Sequence, residues 1–297
     1  MNVTDNKQLA GECGLTYMTI AQMQTLKDDI EIAVCSRGNA KKLLEMSCGN
    51  LKYIQLTSAG YDGLNPQDFR EKGIMLCRAA DVYHINMAEF VVYAMLMNAK
   101  KFNRSIRNRC IRPLRNYHYI TELYGKTVGI MGVGNIGAEV ASRLSAFGMR
   151  VIGYAKHTDV KEPFEKIYHQ DQLLDFVASC DYIVNTLPHN CDTIGLLGQE
   201  AFANMRPHVM IMNEGRRSIF VEKAFINFFR KHRDASAVLD MMELMPNPLT
   251  NAYRRLRNVI VWPGVVASSQ ETDQRLISLV EDNMHRYQND ETLINQL

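Results

Sequence analysis

KTVGIMGVGNIGAEVASRLSAFGMRVIGYAKH, residues 126–157, decides the fold. It reads as a strand, a glycine turn, a helix and a second strand. Thr127 to Met131 is an apolar, partly β-branched run of the length of a buried parallel strand, and it ends on Gly132, Gly134 and Gly137 in the spacing G-x-G-x-x-G. Ile136, Val140, Ala141, Leu144 and Phe147 then recur at helical spacing, which predicts one packed stripe with Glu139 and Arg143 in water. Val151 to Tyr154 is the next strand.

The chemistry of a phosphate ligand accounts for the three glycines. Gly132 allows the tight turn, Gly134 lets a pyrophosphate approach the backbone, and Gly137 lets the helix close on the strand. Asn135 and Ile136 open the helix, where free N–H groups and the positive dipole end attract an anion. A glycine triplet alone is a weak signal, but strand, amphipathic helix and second strand all surround this one, so a dinucleotide site is expected. The alternative is a unit of the same fold that has lost its ligand.

A NAD site usually ends its second strand on an acidic residue, about 20 positions on, that binds the ribose hydroxyls. This chain has Ala155, Lys156 and His157 there. Losing the carboxylate removes repulsion against a 2′-phosphate, and Lys156 is placed to pair with one. The expected cofactor is therefore NADP or NAD, with the balance towards NADP; an ordinary solvated lysine is the competing reading.

Working outward, Tyr182 to Leu187, Val209 to Asn213, Ser236 to Leu239 and Val259 to Trp262 are strand-like. Helices are expected near Asp171 to Ser179, Gly198 to Asn204 and Val221 to Lys231. With the first two strands this predicts a six-stranded, doubly wound Rossmann-type parallel sheet. Upstream, Leu15 to Ile20, Ile30 to Cys35, Tyr53 to Leu56 and Ile74 to Cys77 read as strands, with a helix at Ala40 to Met46, implying a smaller α/β sheet whose first edge is abbreviated. A longer helix is expected from Met87 to about Cys110, bridging two domains. The last helix, Glu271 to Tyr287, is expected to return to the first domain. The division is thus 1–88 with 270–297 for a substrate domain and 89–269 for the dinucleotide domain.

Composition narrows the class. A chain of 297 residues has room for two domains, and a formal charge of +2 points to no polyanionic partner. The basic patches Lys100 to Arg115 and Arg254 to Arg257 come without a nucleic-acid motif and read as solvated faces. Seven cysteines, without C-x-x-C or zinc-ligand spacing, read as reduced and mostly buried thiols, so no metal is expected. The N-terminus has no signal-peptide pattern, and no apolar run approaches roughly 18 residues, so the expectation is a cytoplasmic protein without membrane or nucleic-acid partners.

Several stretches together resemble the D-isomer-specific 2-hydroxyacid dehydrogenase family over about residues 50–295. LKYIQLTSAGYD, residues 51–62, resembles its substrate loop and carries Ser58, Ala59, Gly60 and Tyr61. Met87-Ala88-Glu89 resembles the start of its interdomain helix. Leu187 and Pro188, with Thr193 and Leu196, resemble the cofactor-side loop, and Asn213-Glu214-Gly215-Arg216, followed by Glu222 and Ala224, resembles the arginine motif. The resemblance implies a Rossmann domain inserted into a flavodoxin-like α/β substrate domain, a homodimer, and hydride transfer between a nicotinamide and a small 2-keto or 2-hydroxy acid. It also implies that Arg216 binds the substrate carboxylate, a task suited to a planar, permanently charged donor. Asp240 would contact the nicotinamide amide.

Two positions depart from the family pattern. Where the family has a glutamate that orients a histidine, this chain has Met245 and Gly264, and neither carries a proton. Arg217 replaces a usual glycine. Glu243, His84, Tyr61 and His189 are the candidates for a displaced acid, though each reads more readily as an ordinary satisfied loop residue. The functional expectation is an NAD(P)-binding oxidoreductase with Arg216 retained and its standard proton transfer lost. The alternative is a pseudoenzyme that senses or binds a dinucleotide, and a purely structural subunit is a third reading. If the alignment holds, Met245→Glu with Gly264→His would raise 2-keto acid reduction.

Overall fold

The computed structural model describes residues 1–101, 120–160, 162–240, 252–262 and 264–297. The chain divides into two compact units, Met1–Tyr83 with Ser268–Leu297, and His84–Ala267.

The first unit is a five-stranded parallel sheet. Its strands are β1 (Asn2–Thr4), β2 (Thr16–Tyr17), β3 (Ile32–Cys35), β4 (Tyr53–Leu56) and β5 (Met75–Cys77). The order β2-β1-β3-β4-β5 is that of flavodoxin-like folds. Every residue of β3 and β4 is buried, as expected for strands covered on both faces. The sequence reading missed β1: three residues are too few to show a period, yet they pair with both β2 and β3 inside the sheet. The first edge is irregular in another way, since only Thr16–Tyr17 of the expected Leu15 to Ile20 strand forms, and it is exposed. The helix Gln270–Gln288 packs within this unit, with Asn283 donating to the buried Gln55 side chain at 2.8 Å and Tyr287 stacked on Tyr53. The C-terminal residues finish the far edge, Leu297 N–H donating to the Leu76 carbonyl and Arg78 N–H to that of Asn295.

The second unit is a seven-stranded parallel sheet, one strand more than expected. Its strands are β6 (Thr127–Met131), β7 (Arg150–Tyr154), β8 (Lys166–Tyr168), β9 (Tyr182–Asn185), β10 (Met210–Asn213), β11 (Ser236–Asp240) and β12 (Val259–Trp262). The order β12-β11-β10-β9-β6-β7-β8 reverses direction at β6, which makes the sheet doubly wound. The added strand, β8, is a three-residue edge strand of Lys-Ile-Tyr, too short and too polar to stand out in the sequence.

Side chains from the two faces of this sheet form separate cores. Val128 and Ile130 pack with Val140, Ala141 and Leu144 of the helix Asn135–Ala146, and with Val91 and Met95 of the helix His84–Ala99. A buried leucine such as Leu144 is worth about 2–5 kcal/mol against alanine. Phe147 departs from the expected stripe: it is the C-cap residue and 39% exposed. Glu139 and Arg143 are half-buried and paired with each other at i,i+4, and Arg143 also lies 3.9 Å from Glu89. On the other face, Phe202, Phe220, Phe225, Phe228, Phe229 and Tyr253 form an aromatic core. The helix expected from Met87 to Cys110 is His84–Ala99; residues 102–119, including Cys110, lie outside the described residues. Six cysteines are described and all are free thiols, but only Cys35, Cys77 and Cys180 are buried. Among the described residues no helix is long and apolar enough to cross a membrane.

Candidate functional site

The glycine turn follows β6, the strand at which the sheet order reverses. Its three glycines differ in their physical requirements. Gly132 has φ +95°, and a Cβ there would sit 2.7 Å from the Thr186 hydroxyl. That hydroxyl donates to the carbonyls of Met131 and Gly132, tying the turn to the segment after β9. Gly137 is held by closeness, because a Cβ would lie 2.0 Å from the Gly132 carbonyl oxygen. Gly134 is required by neither: its φ is −74° and nothing lies within 4 Å of an added Cβ. Exposed Gly134 is the N-cap of the helix Asn135–Ala146 and, as a glycine, supplies no capping side chain. An uncapped helix start beside open space is the form an anion cradle takes, and the residues present fit the pyrophosphate of a dinucleotide.

The segments after β7 and β9 flank this turn. Lys156 and His157 are exposed, and Lys156 is not a lone cation: its Nζ lies 2.7 Å from Asp192 Oδ2. The Asp192 carboxylate raises the Lys156 ammonium above its ordinary range and is itself held low by that lysine. The loop bearing Leu187, Pro188 and Thr193 is internally fastened. Leu187 N–H donates to Asn185 Oδ1, while the buried Thr193 donates to the Pro188 carbonyl at 2.6 Å and accepts from Asn190 N–H at 3.0 Å. The loop is stitched to the segment after β10 by His189 Nδ1 and Ser218 Oγ at 2.6 Å, and by Gly195 N–H donating to the Ser218 carbonyl at 2.7 Å.

Asn213 ends β10, and its Oδ1 accepts from the buried Asn185 amide at 2.6 Å. Gly215 is fixed by closeness, since a Cβ would meet both Asn185 Nδ2 and the Leu187 carbonyl at 2.6 Å. This brings Arg216 out of the strand end as the N-cap of a short 3₁₀ turn, half-buried, with Nη1 3.4 Å from the Gly215 carbonyl. Arg217, in place of the expected glycine, pairs with Glu222 at 3.3 Å and contributes to the charge around Tyr253.

One residue of this motif was assigned no role from sequence. Glu214 is buried, and neither carboxyl oxygen has a hydrogen-bond partner among the described residues. It lies one position beyond the register pair Asn213 and Leu239, so it sits beside Asp240, on the face that carries Met210, Met212 and Val238. Burial, and after it the charge of Asp240, raises the Glu214 carboxyl well above the usual glutamate range. Asp240 is also raised by burial, against the pull of backbone N–H groups of Gly264, Val265 and Val266. A glutamate directly after the buried run Met-Ile-Met-Asn is the sequence signal that would have singled it out.

Gly264 lies two positions beyond the end of β12. Its φ is +76°, a left-handed backbone that disfavours any side chain, and the turn presents its N–H groups to Asp240. The start of the helix His84–Ala99 meets the same turn, with Asn86 donating to the Val266 carbonyl at 2.6 Å and His84 Nδ1 buried with no hydrogen-bond partner among the described residues. Glu243 and Met245 lie outside the described residues.

The remaining sequence-derived positions, Ser58, Ala59, Gly60 and Tyr61, belong to the first unit, in the loop after β4. Ser58 Oγ donates to the Gly60 carbonyl at 2.8 Å, and the Tyr61 ring lies 5.8 Å from the Arg78 guanidinium. Asp62 pairs with Arg37 at 2.5 Å, and Tyr83 donates to the Thr57 carbonyl.

The chain is similar to known proteins. The family model for the NAD binding domain of D-isomer specific 2-hydroxyacid dehydrogenases matches residues 90–265. A hydroxypyruvate reductase of Thermotoga maritima is 32% identical over 241 residues, 78% of this chain and 76% of that one. A D-3-phosphoglycerate dehydrogenase of Archaeoglobus fulgidus is 30% identical over 239 residues, 79% of this chain and 45% of that protein. The chain thus spans about half the length of the phosphoglycerate dehydrogenases it matches. Among solved structures, a 2-hydroxyacid dehydrogenase from Ketogulonicigenium vulgare superposes with a TM-score of 0.79 at 25% identity, covering 93% of this chain and 87% of that one.

Proposed function

Because the chain belongs to the D-isomer specific 2-hydroxyacid dehydrogenase family, we propose that it binds NADP(H) or NAD(H) and acts on a small 2-keto or 2-hydroxy acid. The observation that carries the reading is the glycine turn, where an uncapped helix start faces open space at Gly134 while Gly132 and Gly137 are fixed by backbone geometry. Gly132, Gly134, Asn135, Ile136 and Gly137 would hold the pyrophosphate, and Lys156 and His157 the adenosine ribose end. Leu187, Pro188, Thr193, Asn213 and Asp240 would line the nicotinamide side. Bound there, the dinucleotide supplies or accepts the hydride.

The rest of the chemistry falls to the chain. Arg216 would hold the substrate carboxylate and polarise the neighbouring carbonyl. Gly264 offers no proton, so in reduction the proton reaching the carbonyl oxygen comes from water or from a group other than the family's histidine. Removing a general acid lowers a rate by about 10² to 10⁴ and leaves hydride transfer possible. The turn at Gly264 to Val266, whose N–H groups point at Asp240, favours a second reading, in which the chain binds a dinucleotide without turnover. A homodimer in the cytoplasm belongs to the same proposal.

Titration of the purified chain with NADPH and NADH, followed by nucleotide fluorescence, tests the binding site. Saturable binding that Gly134→Val weakens supports it, and the ratio of the two affinities gives the preference. No binding of either nucleotide overturns both readings. Turnover of glyoxylate, hydroxypyruvate or larger 2-keto acids by the loaded protein then separates enzyme from binder.

A further inference from the structure

Four arginines gather at the sheet edge opposite the glycine turn. Arg230 lies in the last turn of the helix Glu222–Lys231, and Arg233 lies ahead of β11. Arg255 closes a 3₁₀ turn, and Arg257 precedes β12. With Leu256 and Asn258 they line a concavity of about 900 Å³. All four are exposed, no acidic side chain shares the lining, and among the described residues none of the four enters an ion pair. The chain as a whole is nearly balanced, with 34 Lys and Arg against 32 Asp and Glu, so this is a local excess rather than general basicity.

The arginines stand on a fixed support. Asn258 Nδ2 shares its two hydrogens among three carbonyls, those of Phe229 at 3.1 Å, His232 at 3.0 Å and Ala235 at 2.8 Å. That one amide ties the helix end, the following turn and the start of β11 to the segment leading into β12. It therefore holds the pair Arg230 and Arg233 against the pair Arg255 and Arg257. Neutralising the helix C-terminal dipole accounts for Arg230, in the last turn, and not for the others. Four like charges lining one concavity, with no ion-pair partner among the described residues, repel one another, and a bound polyanion removes that repulsion.

We propose that this concavity is a second anion site, distinct from the glycine turn, for a compact ligand carrying an oligophosphate chain. Guanidinium forks match phosphate oxygens two at a time, and four of them suit several phosphates better than one. The lining has no aromatic ring on which bases of a single strand would stack. Its only apolar side chain, Leu256, is buried, so it offers no apolar face to a lipid surface.

The test is calorimetric titration of the full chain with inorganic tripolyphosphate, ATP and orthophosphate, at about 50 mM salt and again at several times that concentration. Saturable tripolyphosphate binding is expected, weakened by salt, much tighter than orthophosphate, and lowered at least about tenfold in Arg233→Glu/Arg257→Glu. Arg233→Gln/Arg257→Gln should weaken it less, and circular-dichroism melts of both variants should match the wild type because the side chains are exposed. ATP binding as tightly as tripolyphosphate would mean that the chain of phosphates is recognised; tighter ATP binding would add a nucleoside contact. Gly134→Val should leave this binding intact. Absence of saturable binding, equal affinity in the charge-reversed variant, or loss with Gly134→Val but not with the arginine changes would overturn the proposal.

Discussion

The turn after β6 and the turn after β12 stand at the same edge of one sheet, and both depend on glycine, but for opposite reasons. In the first, Gly132 and Gly137 are demanded by the backbone itself, while Gly134 leaves room for something that is not protein. In the second, Gly264 takes a left-handed φ of +76°, and the turn places its own N–H groups on Asp240. The first region keeps a space open. The second directs its N–H groups onto Asp240, and its backbone at position 264 lies in a region that disfavours a side chain.

The largest effect should come from Gly137→Ala. A methyl group 2.0 Å from the Gly132 oxygen forces helix and strand apart, and overpacking of this kind costs about 1–3 kcal/mol or more. Urea unfolding should show that loss. Gly134→Ala, three residues earlier, should change stability by no more than about 0.5 kcal/mol, since the methyl group meets only solvent. Its cost should appear in dinucleotide affinity instead. Equal stability losses at the two positions would erase the distinction on which the first region is read.

Glu214→Gln probes the second region. A carboxyl whose folded pKa is raised contributes its full share of stability below the unfolded pKa and loses it as pH rises through the folded value. Glu214 is raised, so the wild type should carry a growing penalty as pH climbs from about 4.5. The isosteric amide should therefore stabilise the protein at pH 7 to 8, by about 1–3 kcal/mol, with the gain shrinking towards pH 4. Thermal melts across that range decide it. A loss of stability at neutral pH would mean that the carboxylate is paired and charged.

Gly264→His, alone or with Met245→Glu, sharpens the comparison further. From alignment the double change restores a proton-transfer pair, but the φ at position 264 charges any side chain about 1–2 kcal/mol. The expected result is a chain destabilised by that amount with no gain in 2-keto acid reduction. A clear gain would show that the turn rearranges around the ring.

What was legible in the sequence follows from the same physics. Long buried parallel strands and the amphipathic helix after the glycine turn have periods and compositions that read directly, so the doubly wound sheet and its glycines could be found. The strands β1 and β8, three residues each, carry no period and owe their existence to neighbours far away in the chain. Side-chain partnerships were less legible still. Glu214 was visible as a letter, but its isolation depends on β10 and β11 lying in register, and Asp192 meets Lys156 only because two loops converge.

That last pairing gives the smallest and most selective effect. Lys156 was read as a cation free to receive a 2′-phosphate, yet Asp192 already occupies it at 2.7 Å. Both side chains are exposed, where an ion pair contributes little and is screened by salt. An incoming 2′-phosphate must displace the carboxylate and then lie near its charge, whereas the 2′-hydroxyl of NADH can donate to it. Asp192→Asn should therefore tighten NADPH by roughly two- to fivefold and leave NADH unchanged or weaker, with the difference fading at high salt. Lys156→Ala should move the ratio the other way. If Asp192→Asn shifts both nucleotides equally, the pair acts on the loop as a whole, and the discrimination resides in the β7 end alone.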